Sequence, residues 1–122
     1  MNISVISVVP LVAASLVLQA FGASQQIGVH RFTLPDGFTI EKVADSPLVD
    51  RPIVADFDEQ GRLYVADSSG SNADVRTQLE EKPHRIMRLE DRDGDGVFDT
   101  SLVFADRMMF PEGAMWYEGS LY

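Results

Sequence analysis

Four aspartates lie within nine residues in Asp91-Arg92-Asp93-Gly94-Asp95-Gly96-Val97-Phe98-Asp99, and their spacing asks for a chemical explanation. Asp91, Asp93, Asp95 and Asp99 take positions 1, 3, 5 and 9 of a loop, and Gly96 at position 6 lets the backbone turn sharply. A hard cation such as calcium wants about six to eight oxygens at about 2.3–2.6 Å, and alternate residues of a tight turn can aim carboxylates at one centre. The backbone carbonyl of Val97, at position 7, would add a further ligand. Without a cation, carboxylates this crowded, offset only by Arg92, would repel one another. The plain alternative is a solvated acidic turn whose glycines serve only its geometry.

The loop is not an EF-hand. Leu102 stands at position 12 in place of the bidentate glutamate, and the flanks Arg85–Leu89 and Thr100–Phe104 read as strands rather than helices. The loop therefore belongs to a β-hairpin. In that setting Asp-x-Asp-x-Asp-Gly-x-x-Asp resembles the calcium loops on the blades of integrin-type β-propellers, with all four acidic positions present.

The elements that must hold such a loop come from a short, acidic chain. Its 122 residues carry ten basic and nineteen acidic side chains, a formal charge of −9 that begins only at Arg31. This argues against nucleic acid and anionic membrane surfaces as partners. With no cysteine there are no disulfides, thiolate metal sites, lipoprotein anchor or Cys-x-x-Cys-His haem attachment within these residues. Ile3–Leu18 is an uncharged apolar run followed by small residues, Ala20-Phe21-Gly22-Ala23-Ser24, which predicts residues 1–24 to be an export signal cleaved after Gly22 or Ser24. An uncleaved membrane anchor is the competing reading, but the run falls short of the ~20 residues a spanning helix needs. Residues 25–34 read as a flexible polar lead-in, and residues 35–122 as the β domain.

Within that domain, Phe38–Val43, Ile53–Phe57, Arg62–Ala66, Arg85–Leu89 and Ser101–Phe104 have strand character, separated by turns such as Pro35-Asp36-Gly37 and Asp58-Glu59-Gln60-Gly61. Asp67–Pro83 breaks the pattern, with room for one or two helical turns at Val75–Glu81. An internal repeat then organises the strands: Pro52–Tyr64 aligns with Pro111–Tyr122 after deletion of one residue. The offset of 58–59 residues makes a unit of four strands, the mark of a β-propeller. The expected fold is all-β: the first blade and the start of the second blade of a propeller. It is incomplete in this chain, because a ring needs roughly four blades. Phe38–Val43 would close such a ring as the outer strand of the last blade, with its partner missing here.

Pro35-Asp36-Gly37-Phe38, Asp56–Val65, Arg85–Gly96 and Phe104–Gly113, in that order, resemble the start of the membrane-bound dehydrogenase family of planctomycetes and their relatives. The resemblance covers residues 35–122. It implies a propeller similar to glucose and sorbosone dehydrogenases, which use pyrroloquinoline quinone, within an exported, periplasmic or cell-surface oxidoreductase. A sugar-like substrate and a cytochrome c domain or protein as electron acceptor are the implied partners. Haem c is not assigned to this chain, and any membrane contact would come through export or an uncleaved leader.

In an antiparallel meander the acidic loop lies at one end, while Asp67–Pro83 and Ala105–Phe110 lie at the other, where sugar-dehydrogenase-like propellers hold substrate. Calcium would then be structural, and Asp67, Ser68, Asn72 and Arg107 become the candidates for contact with a quinone or sugar. Ordinary solvated loop residues are their plainer reading. His84, after Pro83, reads as a surface residue with no neighbour to orient it, and no catalytic residue is named. The aromatics Phe57, Tyr64, Trp116 and Tyr117, and Met108-Met109-Phe110, are assigned to packing between blades rather than to a stacking platform. The alternative function is a non-catalytic, calcium-stabilised propeller that binds protein or glycan at the cell surface.

Overall fold

The computed structural model describes residues 5–10 and 23–122, with side chains from residue 23 onward. Among the described residues the chain is all-β apart from one short helix. Its strands are β1 (Val5–Pro10), β2 (Ala23–Ile27), β3 (His30–Leu34), β4 (Phe38–Ala44), β5 (Pro52–Phe57), β6 (Leu63–Asp67), β7 (His84–Glu90), β8 (Thr100–Met108), β9 (Trp116–Tyr117) and β10 (Ser120–Leu121), and the helix α1 (Val75–Glu81) precedes β7.

The centre is the four-stranded antiparallel meander β5-β6-β7-β8. β6 lies inside it and is buried along its whole length, which suits the uninterrupted Leu-Tyr-Val-Ala run. Because successive side chains alternate, the meander has two apolar faces. One carries Leu63, Val65, Met87 and Leu89, covered by Val43, Ala44 and Val49 from β4 and the turn after it, and by Phe98. The other carries Tyr64, Ala66 and Ile86, covered by Trp116 and Leu121. The sheet thus sits between β4 on one side and the β9–β10 hairpin on the other.

That hairpin is where the sequence repeat becomes visible. Aligned Gly61 and Gly119 both adopt positive φ, +78° and +80°, a conformation open to glycine without strain. Phe57 pairs with Leu63 across the first turn, whereas Tyr117 pairs with Ser120 across the second, so the deleted residue falls inside the turn. In the longer turn, the buried Asp58 accepts hydrogen bonds from the amides of Gln60 and Arg62 and from the Arg62 guanidinium.

Burial alone would raise the Asp58 carboxyl, but these hydrogen bonds outweigh it and hold the group below its ordinary value of 3.8. A folded-state value below the unfolded one means stability that is present above pH 3.8 and lost as pH falls through the lower folded value. The melting-temperature gap between wild type and Asp58→Asn should therefore be full at neutral pH and close as pH drops below about 4, in circular-dichroism melts. A gap independent of pH would remove the carboxylate from the account.

Two segments differ from expectation. Residues 25–34, expected to be a flexible lead-in, belong to the β2–β3 hairpin, paired from Ala23↔Leu34 to Ile27↔His30. Gly28 at φ +58° starts its two-residue turn, the position at which a II′ hairpin takes glycine. The Gln25 side chain then reaches β4, where its amide donates to the Ile40 carbonyl at 2.8 Å and its oxygen accepts from the Ile40 N–H at 3.3 Å. β4 is also not unpaired: β1 lies antiparallel along it, from Ile6↔Lys42 to Pro10↔Phe38. Backbone groups on an open strand edge take up an available β-rich segment, and Val5–Pro10 is one. The rest of the expected export signal lies outside the described residues. Among the described residues, no helix is long and apolar enough to cross a membrane.

Candidate metal centre

Asp91–Asp99 is the connection between β7 and β8, and its conformation is built from its own side chains. Gly94 and Gly96 sit at φ +77° and +91°, where a Cβ would strain the backbone although the surrounding space is open. Asp91 accepts from the amides of Gly94 at 2.7 Å and Gly96 at 2.9 Å, one on each carboxylate oxygen. Asp93 accepts from the Asp95 amide, Asp95 from the Val97 amide, and Asp99 from the Arg92 amide at 2.7 Å. At the base, the Asp99 amide donates to the Glu90 carbonyl. Phe98 turns into the core and its amide donates to the Val43 carbonyl, so the loop is fixed both to its own strand and to β4.

This arrangement points three carboxylates inward. Asp91, Asp93 and Asp99 each offer an oxygen, and these oxygens all lie within 4.8 Å of one another. Two ligands of one calcium ion stand at most about 5 Å apart, twice the longest metal–oxygen distance, so the spacing fits a shared ion. Asp95 is not in the convergent group; its carboxylate holds the Val97 amide instead. Val97 presents a half-exposed side chain at the loop's rim. Arg92 does not neutralise the aspartates, since its guanidinium lies 3.8 Å from Glu90.

The electrostatics follow from this placement. The Gly96 amide, with that of Gly94, holds Asp91 below the ordinary carboxylate range. For Asp93 the strongest single influence is the Asp95 amide, which lowers it, yet the carboxylates of Asp95, Asp99 and Asp91 together leave it raised. Asp93 thus bears the repulsion of its neighbours, which a bound cation would relieve.

The opposite end of the sheet holds the other candidates, which differ in burial and bonding. Asp67 is fully buried: one oxygen accepts from the amides of Asp50 and Arg51, the other from the Arg85 guanidinium twice, at 3.0 and 2.8 Å. Ser68 faces inward too, accepting from the Gly70 amide and lying 3.4 Å from His84 Nδ1. Asn72 and Arg107 are exposed. Arg107 sits in a bulge, because Arg85 faces two residues of β8 between the pairs His84↔Met108 and Ile86↔Ala105, and its φ is +53°. Asp67 and Ser68 are thus engaged in internal hydrogen bonds, whereas Asn72 and Arg107 are exposed.

His84 is a correction. It is buried rather than superficial, and it has neighbours at both ring nitrogens: the Ser69 amide donates to Nδ1 at 3.1 Å, and Gln78 Oε1 lies 3.1 Å from Nε2. A backbone donor at Nδ1 fixes the proton on Nε2, which then donates to Gln78. Phe110 closes over the ring edge-on at 4.9 Å. The histidine ties α1 and the loop before it to the sheet, and the signal for this was the pair Gln78 and Ser69, invisible as neighbours until α1 folds back.

The aromatic residues also separate. Tyr64 is buried, with Trp116 of the second repeat stacked on it at 4.8 Å and Phe104 of its own sheet edge-on at 4.9 Å, so the contacts are packing rather than a stacking platform. Phe57 and Tyr117 stand half exposed.

A family model described as Domain of unknown function (DUF7133) matches residues 24–121. No curated protein and no solved structure matches the chain.

Proposed function

The chain belongs to the DUF7133 family, and we propose that its role is that of a calcium-pinned framework unit, a blade-type sheet of a β-propeller in an exported protein. The observation that carries this reading is the convergence of Asp91, Asp93 and Asp99 within 4.8 Å at the tip of the β7–β8 hairpin. An ion held there by these three carboxylates, water and the Val97 carbonyl would lock a loop already anchored through Phe98, and so stiffen two strands of the meander. It would do so at the end of the sheet remote from Ser68, His84 and Arg107.

Resemblance to quinone-dependent sugar dehydrogenases supports a wider setting: the propeller of an oxidoreductase that takes a sugar-like substrate and passes electrons to a cytochrome. Engagement of Asp67 and Ser68 in internal hydrogen bonds favours chemistry carried elsewhere than on these residues. The same observation favours the second reading, a non-catalytic propeller that binds protein or glycan. Dye reduction by the protein reconstituted with pyrroloquinoline quinone, across a sugar panel, separates the two.

Calcium binding is tested directly. Saturating calcium at about 100-fold over its dissociation constant adds about 2.7 kcal/mol, or about 10 °C in melting temperature for a chain this size. Excess EGTA should reverse the gain, and Asp99→Ala should abolish both the gain and the heat of calcium binding in calorimetry. A melting temperature indifferent to calcium and EGTA would end the metal reading. Binding should also weaken on acidification, since the raised Asp93 carboxyl must lose its proton to act as a ligand.

A further inference from the structure

One imidazole fastens the stretch between β6 and β7. Beyond Ser68 the amides of that stretch serve its own side chains: Gly70 donates to Ser68 Oγ, Ser71 to Ser69 Oγ and Ala73 to Ser71 Oγ. α1 buries none of its residues, so apolar packing does not hold it down. The ties to the rest of the chain are polar, and two of them end on His84: the Ser69 amide at Nδ1 and Gln78 Oε1 at Nε2, each at 3.1 Å. Arg51 supplies two more, since its carbonyl accepts from the Ser68 amide and its guanidinium reaches the Gly70 carbonyl at a long 3.4 Å.

His84 is 1% exposed beneath the Phe110 ring. Among the described residues no charged group bonds to it. Asp67 and Arg85 pair with each other on the opposite face of the sheet, and Arg76 pairs with Glu80 on α1. Asp74 caps the helix, while Glu81 and Lys82 at its end, Asp106 and Arg107 on β8, and Glu112 beyond Phe110 are exposed.

We propose that His84 is a proton-operated tie: the neutral ring holds the Ser69–Asn72 segment on the sheet, and protonation of Nδ1 releases it. A protonated Nδ1 is a donor facing the Ser69 amide, another donor, so that bond is lost. Ser68 Oγ, 3.4 Å from Nδ1, is the acceptor to which the new N–H turns. Nε2 carries its proton in both states and goes on donating to Gln78, so α1 stays tied while the segment before it comes free. Because the released form takes up the proton and the tied form does not, acidification through the range in which imidazoles titrate, about pH 8 to 5, shifts the balance toward release.

Amide exchange and imidazole nitrogen shifts of the full chain across that range test this. At the upper end the shifts should place the proton on Nε2 and leave Nδ1 bare. On acidification the protection factor of the Ser69 amide should fall by about tenfold, the order of one net hydrogen bond, while those of Val65 and Met87 hold. His84→Asn sets a carbonyl oxygen near the place of Nδ1 and cannot be protonated, so Ser69 protection should cease to depend on pH. Ser68→Ala leaves the imidazolium without its acceptor and should move the fall to lower pH, whereas a merely structural serine would leave the midpoint in place. If His84→Asn does not fold, the Ser68→Ala midpoint decides. Constant Ser69 protection, a fall that persists in His84→Asn, or a midpoint unmoved by Ser68→Ala overturns the proposal. None of these readouts depends on Asp91–Asp99, so failure here and failure of the calcium reading are told apart.

Discussion

Tyr64→Ala should lower stability by about 4 kcal/mol, the middle of the range for truncating a buried aromatic side chain. The ring is 1% exposed in the middle of β6 and is held from two sides by residues distant in sequence, Phe104 edge-on and Trp116 stacked. Truncation would leave a cavity flanked by two aromatic rings and by the backbone of the sheet, which cannot collapse without moving β8 or the β9–β10 hairpin. Each aromatic pair adds about 0.5–1.5 kcal/mol beyond area. Tyr64→Phe keeps both contacts and should keep most of the stability. Urea titrations of the two variants, followed by Trp116 fluorescence, check this, since Trp116 is the only tryptophan and reports the joint itself. If Tyr64→Ala cost as little as Tyr64→Phe, the packing of the second repeat on the first would not be what holds the sheet's far face.

That packing marks how far sequence reasoning reached. The meander was legible because its strands carry short apolar runs separated by Gly-containing turns, and the repeat because glycine is required at the same turn position in both units. The acidic loop was legible for the same reason: Gly94 and Gly96 supply backbone geometry while alternate aspartates supply direction. Asp95 was assigned with the others by spacing alone, whereas the fold gives its carboxylate to the Val97 amide. The β2–β3 hairpin was missed because its half-buried face, Gln25, Ile27, Phe32 and Leu34, carries only three apolar residues split over two short strands, a weak alternation; its further signal was Gly28 followed by one residue. Burial of His84 and Asp67 was out of reach, because the groups that satisfy them, Ser69, Gln78, Asp50, Arg51 and Arg85, are assembled only when α1 and the β4–β5 connection fold over the sheet end. A polar side chain looks solvated in a sequence until its partners are known.

Asp67 is the sharper case of that rule. Asp67→Asn should cost about 3 kcal/mol, the low end for removing one partner of a buried ion pair. The carboxylate serves two groups with two oxygens: the Asp50 and Arg51 amides on one side, and the Arg85 guanidinium on the other. An asparagine has one oxygen to offer. Directed at the amides, it turns its NH2 against the guanidinium; directed at Arg85, it sets a donor against the two amides. The Arg85 side chain is 41% exposed and can rotate into solvent, which keeps the loss from reaching the full range. The β4–β5 connection should loosen before the rest. Hydrogen exchange at the Asp50 and Arg51 amides should rise more than at β6 and β7 amides, and the melting temperature should fall by about 10 °C or more. Arg85→Met tests the other side: with both amides still bound, it should cost less than Asp67→Asn. Equal losses for the two would mean that the ion pair, rather than the backbone amides, is what Asp67 is buried to serve.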